Sequence, residues 1–277
     1  MNQYIKSRRI GFLGAGNMAQ TMIRGLLETD FVVPEKILAS NRTPGKLQKL
    51  SEQYGIRTTP NNEELVEQSD IVVLSVKPQD LLAALEPIAR SFSQDQIVIS
   101  LAAGVRMPVL EKLLPECRLV RLMPNTPSLI GRGVIGYLMN DDEDSALEST
   151  VEDLFSSLGQ VLRMADEDQL EALMVACSSG TGFVFELMMY WQDWLMEHDF
   201  DQETARRMTV ETFVGASLLA SQSEQIPLEE LQNRVASRKG VTTAGLQSMR
   251  ELEIERALRI SFEKAALRNS EIARDLK

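Results

Sequence analysis

The chain has 277 residues, of which 44% are hydrophobic, so it is long enough to bury a large core and to form two domains. Its formal net charge of -11, with Lys and Arg interspersed among the acids, suggests no basic face and so argues against nucleic-acid binding. The two cysteines, Cys117 and Cys177, lack the spacing of a metal site, and we expect neither a signal peptide nor a membrane-spanning segment, so the sequence predicts a metal-free cytoplasmic protein with no membrane partner.

The first predicted element is a buried strand that runs into a glycine-rich turn over residues 10–19, Ile-Gly-Phe-Leu-Gly-Ala-Gly-Asn-Met-Ala. The pattern Gly-x-Gly-x-x-Ala is typical of the turn that binds the pyrophosphate of a dinucleotide. Gly14 permits the tight turn, Gly16 lets the pyrophosphate approach bare backbone, and Ala19 lets the following helix pack on the strand. Taken alone, the pattern fits an ordinary glycine-rich turn equally well.

Short apolar runs alternate with helical patterns as far as residue 164. Strands are predicted at 36–40, 71–76, 96–101, 119–123, 134–139 and 161–164, and helices at 18–27, 44–54, from 61 onward, 81–89, 109–114 and 144–158. Apolar strands separated by helices are typical of a parallel sheet covered on both faces, with ligands beyond the carboxyl ends of the strands. We therefore predict an α/β fold, with a Rossmann-type doubly wound parallel sheet over residues 1–164.

No strand is predicted after residue 166, so residues 165–277 are expected to form an all-helical second domain. Amphipathic stretches cover 168–196, 201–221 and 245–274, with a break at 222–227 and a Gly/Thr-rich loop at 237–245. The segment 183–195 contains more apolar residues than one face of a helix needs. Either a second subunit covers this segment or it forms the core of a single chain, and the pattern leaves both open.

The end of the second strand indicates which dinucleotide binds. An NAD site usually places Asp or Glu there to bind the ribose 2′-hydroxyl, but this chain has Asn41, Arg42 and Thr43. An arginine suits a 2′-phosphate, which favours NADP over NAD. The alternative is that Arg42 is a surface arginine without a ligand.

Three further strand ends carry small or proline-stiffened segments, at 75–79, 100–105 and 121–127. Together with 10–19 and 41–43, these segments resemble the pyrroline-5-carboxylate reductase family, NADPH-dependent enzymes that make proline, and the resemblance covers nearly the whole chain. It implies NADPH as the cofactor and a homodimer through the helical domain, or a higher oligomer built from it. The implied cofactor-binding residues are Gly14, Gly16, Asn17, Met18, Ala19, Asn41, Arg42, Thr43, Val76, Lys77, Pro78, Ala102, Ala103, Gly104, Pro124 and Asn125.

Two loops hold the substrate in that family, and both are altered here. Where the family has Ser-Gly-Ser-Gly-Pro-Ala-Tyr, residues 177–183 read Cys-Ser-Ser-Gly-Thr-Gly-Phe; where it has Ser-Pro-Gly-Gly-Thr-Thr, residues 237–242 read Ser-Arg-Lys-Gly-Val-Thr. The added side chains of Arg238 and Lys239 either bind a further anionic group or point into solvent. The resemblance implies that the substrate binds Gly180, Ser237, Gly240, Val241 and Thr242, and that Thr242 and Ser179 act as catalytic residues near the ring nitrogen.

The reaction type has independent support in what the second domain lacks. Reduction of a ketone generally needs a positioned proton donor, whereas a protonated imine is already electrophilic. Between Asp166 and Asp199 there is no Lys or Arg, and the only histidine, His198, lies at the end of that stretch. This lack of proton donors fits reduction of an imine, with orientation supplying most of the catalysis. The resemblance further implies that the imine is L-1-pyrroline-5-carboxylate, which NADPH reduces to L-proline by hydride transfer to the C=N carbon. Two alternatives are another imine substrate and a non-catalytic NADP(H) sensor or scaffold.

Overall fold

The computed structural model describes residues 7–28 and 31–275, and its first part is a doubly wound sheet, as predicted. Eight strands lie side by side in the order β3-β2-β1-β4-β5-β6-β7-β8. They are β1 (Ile10–Leu13), β2 (Ile37–Ser40), β3 (Arg57–Thr59), β4 (Ile71–Leu74), β5 (Ile97–Ser100), β6 (Arg118–Met123), β7 (Gly133–Met139) and β8 (Gly159–Arg163). The order reverses at β1, so the loops after β1 and β4 lie where such folds bind ligands.

Two strands depart from the predicted pattern. β7 runs antiparallel to β6, because the connection over residues 124–132 is too short for the crossover that a parallel pair requires. β3 was not predicted, since Arg57–Thr59 is a three-residue edge strand without an apolar run.

Helices cover both faces of the sheet. They are α1 (Asn17–Glu28), α2 (Pro44–Tyr54), α3 (Asn62–Glu67), α4 (Pro78–Leu85), α5 (Met107–Leu113) and α6 (Ser145–Phe155), with short 3-10 turns at Pro34–Lys36, Glu86–Ser91, Thr126–Ile130 and Ser156–Leu158. Neighbouring strand residues point to opposite faces, so Phe12 packs in one core with Met22 of α1, and Leu13 packs in the other with Leu81 of α4. Burial on both faces explains why the strands are almost purely apolar.

After β8 the structure contains only helices in the part of the chain that it describes. They are α7 (Glu167–Leu173), a π-helical segment (Met174–Ser179), α8 (Gly180–Met196), α9 (Gln202–Ser221), α10 (Leu228–Val235), α11 (Val241–Glu251) and α12 (Ile254–Asp275). The predicted stretch 245–274 is two helices, because the chain turns at Glu253, which has a φ of 50°. The Gly/Thr-rich loop ends at Gly240 rather than at 245, since α11 begins with Val241.

By packing, the chain divides into two compact units. One comprises residues through Ser179 together with those from Ala265 onward, and the other is Gly180–Lys264. α7 belongs to the first unit because Leu170 and Leu173 are buried in the core beneath the sheet. The predicted domain boundary at 164/165 therefore differs from the division of the compact units, and it stays a prediction.

One helix of the described chain, Glu167–Met196, is long and apolar enough to cross a membrane by length and composition alone. Its most apolar 18-residue window has a mean hydropathy of 1.5 and is 11% buried. The expectation that no segment meets these criteria is wrong, because α7, the π-helical segment and α8 join into one 30-residue helix. The large apolar side chains that α8 leaves exposed are Val184, Phe185, Met189, Tyr190, Trp191, Trp194 and Met196.

Candidate active site

The glycine turn after β1 is fixed against the neighbouring strand end. Gly14 has a φ of 109°, and a Cβ there would lie 2.9 Å from the backbone of Ser75. Ser75 donates from its backbone N–H to the carbonyl of Leu13 (2.9 Å) and from its hydroxyl to the carbonyl of Gly14 (2.9 Å). The turn therefore requires glycine, and it presents the start of α1 to the ligand side of the sheet.

A groove of about 410 Å³ extends from this turn along the ends of β1, β2 and β4. It brings together seven of the predicted cofactor-binding residues: Gly14, Gly16, Asn41, Arg42, Thr43, Val76 and Lys77. The same groove contains Lys46 and Asp80, which sequence reasoning did not select. Its three cations, Arg42, Lys46 and Lys77, suit the phosphates of a dinucleotide.

A second cavity, of about 420 Å³, lies beyond the ends of β4, β5 and β6 and shares Ser75 and Val76 with the groove. Its lining is mostly apolar, as expected for a flat ring between small side chains. The predicted residues that line it are Met18, Val76, Ala103, Pro124 and Ser179. The two cavities thus form a continuous binding surface around the end of β4.

Ser179 is held in this cavity by a hydrogen-bonded clamp that sequence reasoning missed. The Asn125 side chain donates to the carbonyl of Cys177 (3.2 Å) and accepts from the backbone N–H of Val134 (2.9 Å), while the Ser178 hydroxyl donates to the carbonyl of Pro124 (3.1 Å). These bonds fix the π-helical segment, whose wider turn is a feature often found at functional sites. Only the Ser-Ser-Gly sequence signalled a break in the helical pattern there.

The remaining predicted cofactor residues do not line either of these two cavities. Ala19 and Ala102 are buried, and Asn125 uses both ends of its amide within the protein. Gly104, with a φ of 77°, lines a separate cavity of about 200 Å³ beside Arg106 and Ser270. Asn17 and Pro78 are the first residues of α1 and α4.

The other compact unit contains the predicted substrate loop, Ser237 to Thr242. The carbonyl of Ser237 accepts from the backbone N–H of Gly240 (2.9 Å) and from the Thr243 hydroxyl (2.7 Å), which closes the loop. Gly240 is the N-cap of α11 and supplies no side-chain cap, so the first N–H groups of that helix, starting with Val241, are available to an anion. A Cβ on Gly240 would lie 2.2 Å from the Ser237 hydroxyl, so a larger residue there would require the serine side chain to rotate away.

Lys239 adopts a left-handed backbone conformation in this loop, with a φ of 60°. Non-glycine residues rarely adopt it, because Cβ crowds the following carbonyl oxygen. We expect Lys239→Gly to raise the free energy of unfolding by about 0.5–1 kcal/mol, since relief of this crowding exceeds the extra chain entropy of glycine. Urea unfolding of the variant measures the change.

Lys239→Ala is the matched control, because alanine keeps Cβ while removing the long charged chain. We expect its stability to stay within about 0.3 kcal/mol of the parent chain, in line with a surface substitution. If Lys239→Gly and Lys239→Ala raise the free energy of unfolding equally, the lysine side chain, and not the backbone conformation, lowers the stability of the parent chain.

The titratable groups near the second cavity offer little acid–base chemistry. Burial raises the pKa of the Cys177 thiol, so that the thiol stays protonated at neutral pH. In residues 7–28 and 31–275, no three His, Cys, Asp or Glu side chains gather as a metal site requires. The arrangement therefore suits orientation of two bound molecules better than general acid–base catalysis.

Family models match both halves of the chain. Residues 9–104 match the model described as NADP oxidoreductase coenzyme F420-dependent, and residues 167–272 match the model described as pyrroline-5-carboxylate reductase dimerisation. The first range contains every residue that lines the groove, and the second contains α7 to α11.

Whole-chain comparisons agree with these models. The pyrroline-5-carboxylate reductase of Pseudomonas aeruginosa is 35% identical over 269 residues, which is 97% of this chain and 98% of the relative. The enzyme of that name from Methanosarcina acetivorans is 31% identical, over 98% and 99% of the two chains. A solved pyrroline-5-carboxylate reductase from Coxiella burnetii superposes with a TM-score of 0.88 at 30% identity, covering 96% of this chain and 99% of the other.

Proposed function

Since the chain belongs to the pyrroline-5-carboxylate reductase family, we propose that it reduces L-1-pyrroline-5-carboxylate to L-proline with NADPH. The observation that carries this proposal is the continuous surface formed by the groove and the second cavity. One end has a glycine turn and cations for phosphates, and the other has an apolar lining for a ring. A dinucleotide along the strand ends would thus point its nicotinamide towards Ser179.

The residues present fit NADPH. The space at Gly14 is one that a Cβ would fill, and no carboxylate follows β2, where Ser40 is succeeded by Asn41 and Arg42. Gly14 and Gly16 would lie under the pyrophosphate, and Arg42 would bind the 2′-phosphate. Met18, Ala103 and Pro124 would lie around the nicotinamide.

The protein's proposed part in the reaction is to orient the two bound molecules. When bound, NADPH supplies a hydride to the C=N carbon of the protonated imine, which leaves a neutral ring amine. The Asn125 clamp fixes the segment that carries Ser179, and we propose that the Ser179 hydroxyl would contact the ring nitrogen. The N–H groups at the start of α11 and the Thr242 hydroxyl would bind the substrate carboxylate.

The homo-oligomer is supported by the dimerisation model over residues 167–272, and we propose that it is a homodimer. The exposed apolar side chains of α8 provide the surface that a second copy would cover. Of the two interpretations of the 183–195 segment, this favours a subunit interface. We also propose a cytoplasmic location, which suits the two cysteines Cys117 and Cys177, since neither is part of a disulfide.

The proposed function is tested with the purified protein, NADPH and L-1-pyrroline-5-carboxylate. We expect the absorbance of reduced nicotinamide to fall and proline to form in equal amount. If the protein reduces another cyclic imine but not L-1-pyrroline-5-carboxylate, that other imine becomes the proposed substrate. Tight NADPH binding without reduction of any cyclic imine would instead indicate a sensor or scaffold.

The cofactor part of the proposal makes a separate prediction at Arg42. We expect Arg42→Ala to weaken NADPH binding about tenfold while NADH binding changes less than about twofold, because only NADPH carries the 2′-phosphate. Fluorescence titration of the purified protein gives both dissociation constants. Equal weakening of NADPH and NADH would remove Arg42 from the 2′-phosphate role.

A further inference from the structure

Arg42 already has a carboxylate partner inside the groove. Its Nη2 lies 3.0 Å from Oδ2 of Asp80, in an ion pair with 84% and 37% of the two side chains exposed. Asp80 lies in the first turn of α4, three residues after Lys77 in the segment that follows β4. The two residues come from different strand–helix connections, and the fold brings them together at the predicted 2′-phosphate position.

Asp80 is the only acidic residue among the described residues that line the groove. The other charged lining residues are Arg42, Lys46 and Lys77, so the carboxylate stands against an otherwise cationic surface. Stabilisation of the first turn of α4 would explain an acid at this position, but it does not require a partner across the groove. Contact with Arg42 places this carboxylate on the guanidinium that is predicted to bind the 2′-phosphate.

The charge of Asp80 acts against a 2′-phosphate in two ways. It occupies an N–H of the guanidinium that the phosphate would use, and its negative charge would repel a phosphate dianion bound to the same guanidinium. NADH has a hydroxyl in place of that phosphate, so it loses nothing by the presence of the carboxylate. Asp80 thus penalises one dinucleotide and not the other.

We propose that Asp80 is a specificity-determining residue that lowers the preference of this enzyme for NADPH over NADH. The inference rests on the proposed function, because it assumes that the groove binds the nicotinamide dinucleotide. It concerns a residue of this chain that lies outside the strand-end segments from which the cofactor was predicted. NADPH binding then occurs in competition with the Arg42–Asp80 ion pair.

The test is calorimetric titration of Asp80→Asn with NADPH, NADH, adenosine 2′,5′-bisphosphate and 5′-AMP. We expect NADPH and the bisphosphate to bind about fivefold more tightly than to the parent protein at low salt, and NADH and AMP to stay within about twofold. The gain should shrink as salt is added, because the interaction is between partly exposed charges. The adenosine ligands report on the ribose end without any contribution from hydride transfer.

Two control variants isolate the position and the charge. Glu111→Gln removes the same charge from α5, outside the groove lining, and should leave all four affinities unchanged. Asp80→Glu keeps the carboxylate and should keep the parent preference. The melting temperature of each variant is measured alongside, so that binding is compared only between folded proteins.

Unchanged or weaker NADPH binding by Asp80→Asn would overturn the inference, because Asp80 would then be neutral or would help Arg42 to meet the phosphate. An equal gain in NADH affinity by Asp80→Asn would also overturn it, because the carboxylate would then weaken both dinucleotides through a general effect of charge. If the parent protein does not bind NADPH at all, the proposed cofactor fails together with the inference. If the parent protein binds NADPH and Asp80→Asn binds it with the same affinity, the inference about Asp80 fails while the proposed cofactor stands.

Discussion

Gly14→Ala is expected to weaken NADPH binding ~100-fold and to lower the melting temperature. A Cβ at this position would lie 2.9 Å from the backbone C and O atoms of Ser75, and the φ of 109° disfavours any side chain. Hydrogen bonds from Ser75 to Leu13 and Gly14 hold that backbone, so the glycine turn must move instead. A displacement costing about 3 kcal/mol corresponds to that loss of affinity.

Gly16→Ala is the matched control in the same turn. Its Cβ would have only the carbonyl oxygen of Ser75 nearby, at 3.9 Å, so the free protein accommodates it without strain. We expect an unchanged melting temperature but weaker NADPH binding, because the added methyl group occupies the path of the pyrophosphate. Parent-like NADPH binding by Gly14→Ala would show that the turn is not where the pyrophosphate binds.

The sequence predicted the sheet well because periodicity and burial act locally. Apolar runs such as Ile71–Leu74 have both faces covered, and turn residues such as Gly14 need a particular backbone conformation whatever surrounds them. Those signals are visible within a few residues of chain. β3 escaped prediction because a short polar edge strand has no such signal.

The features of the candidate site that the sequence did not predict depend mainly on contacts between distant parts of the chain. The Arg42–Asp80 ion pair and the Asn125 clamp on the π-helical segment each join different strand ends. No periodicity encodes such pairs, and charged residues in helices usually face solvent. The left-handed φ of Lys239 was equally hidden, because lysine is not a residue that indicates it.

Arg121 is the residue for which sequence reasoning had a signal and did not use it. A cation within an apolar strand must find a partner if it is buried, and Arg121 is 1% exposed in β6. Its Nη1 donates to Oε2 of Glu167 at the start of α7, whose Oε1 accepts from the backbone N–H of Met107 (2.6 Å). One carboxylate thus joins the sheet, α5 and α7.

Glu167→Gln is expected to lower the free energy of unfolding by about 3 kcal/mol, measured by urea denaturation. The amide can still accept from Met107, but Arg121 keeps its charge in a buried site and loses the carboxylate that is hydrogen-bonded to it. Burial already lowers the pKa of the Arg121 guanidinium, and the charges of Glu167 and Glu171 oppose that shift. Loss of the nearer carboxylate therefore removes most of what stabilises the cation.

Two comparisons separate this cause from a general effect of charge. Glu171→Gln removes the same charge from an ion pair with the more exposed Arg106 (2.9 Å), and should cost less than about 1 kcal/mol. Arg121→Met combined with Glu167→Gln should recover much of the loss, because an apolar side chain in that site needs no counter-ion. If the double variant is less stable than Glu167→Gln alone, the unpaired buried charge is not the source of the loss in the single variant.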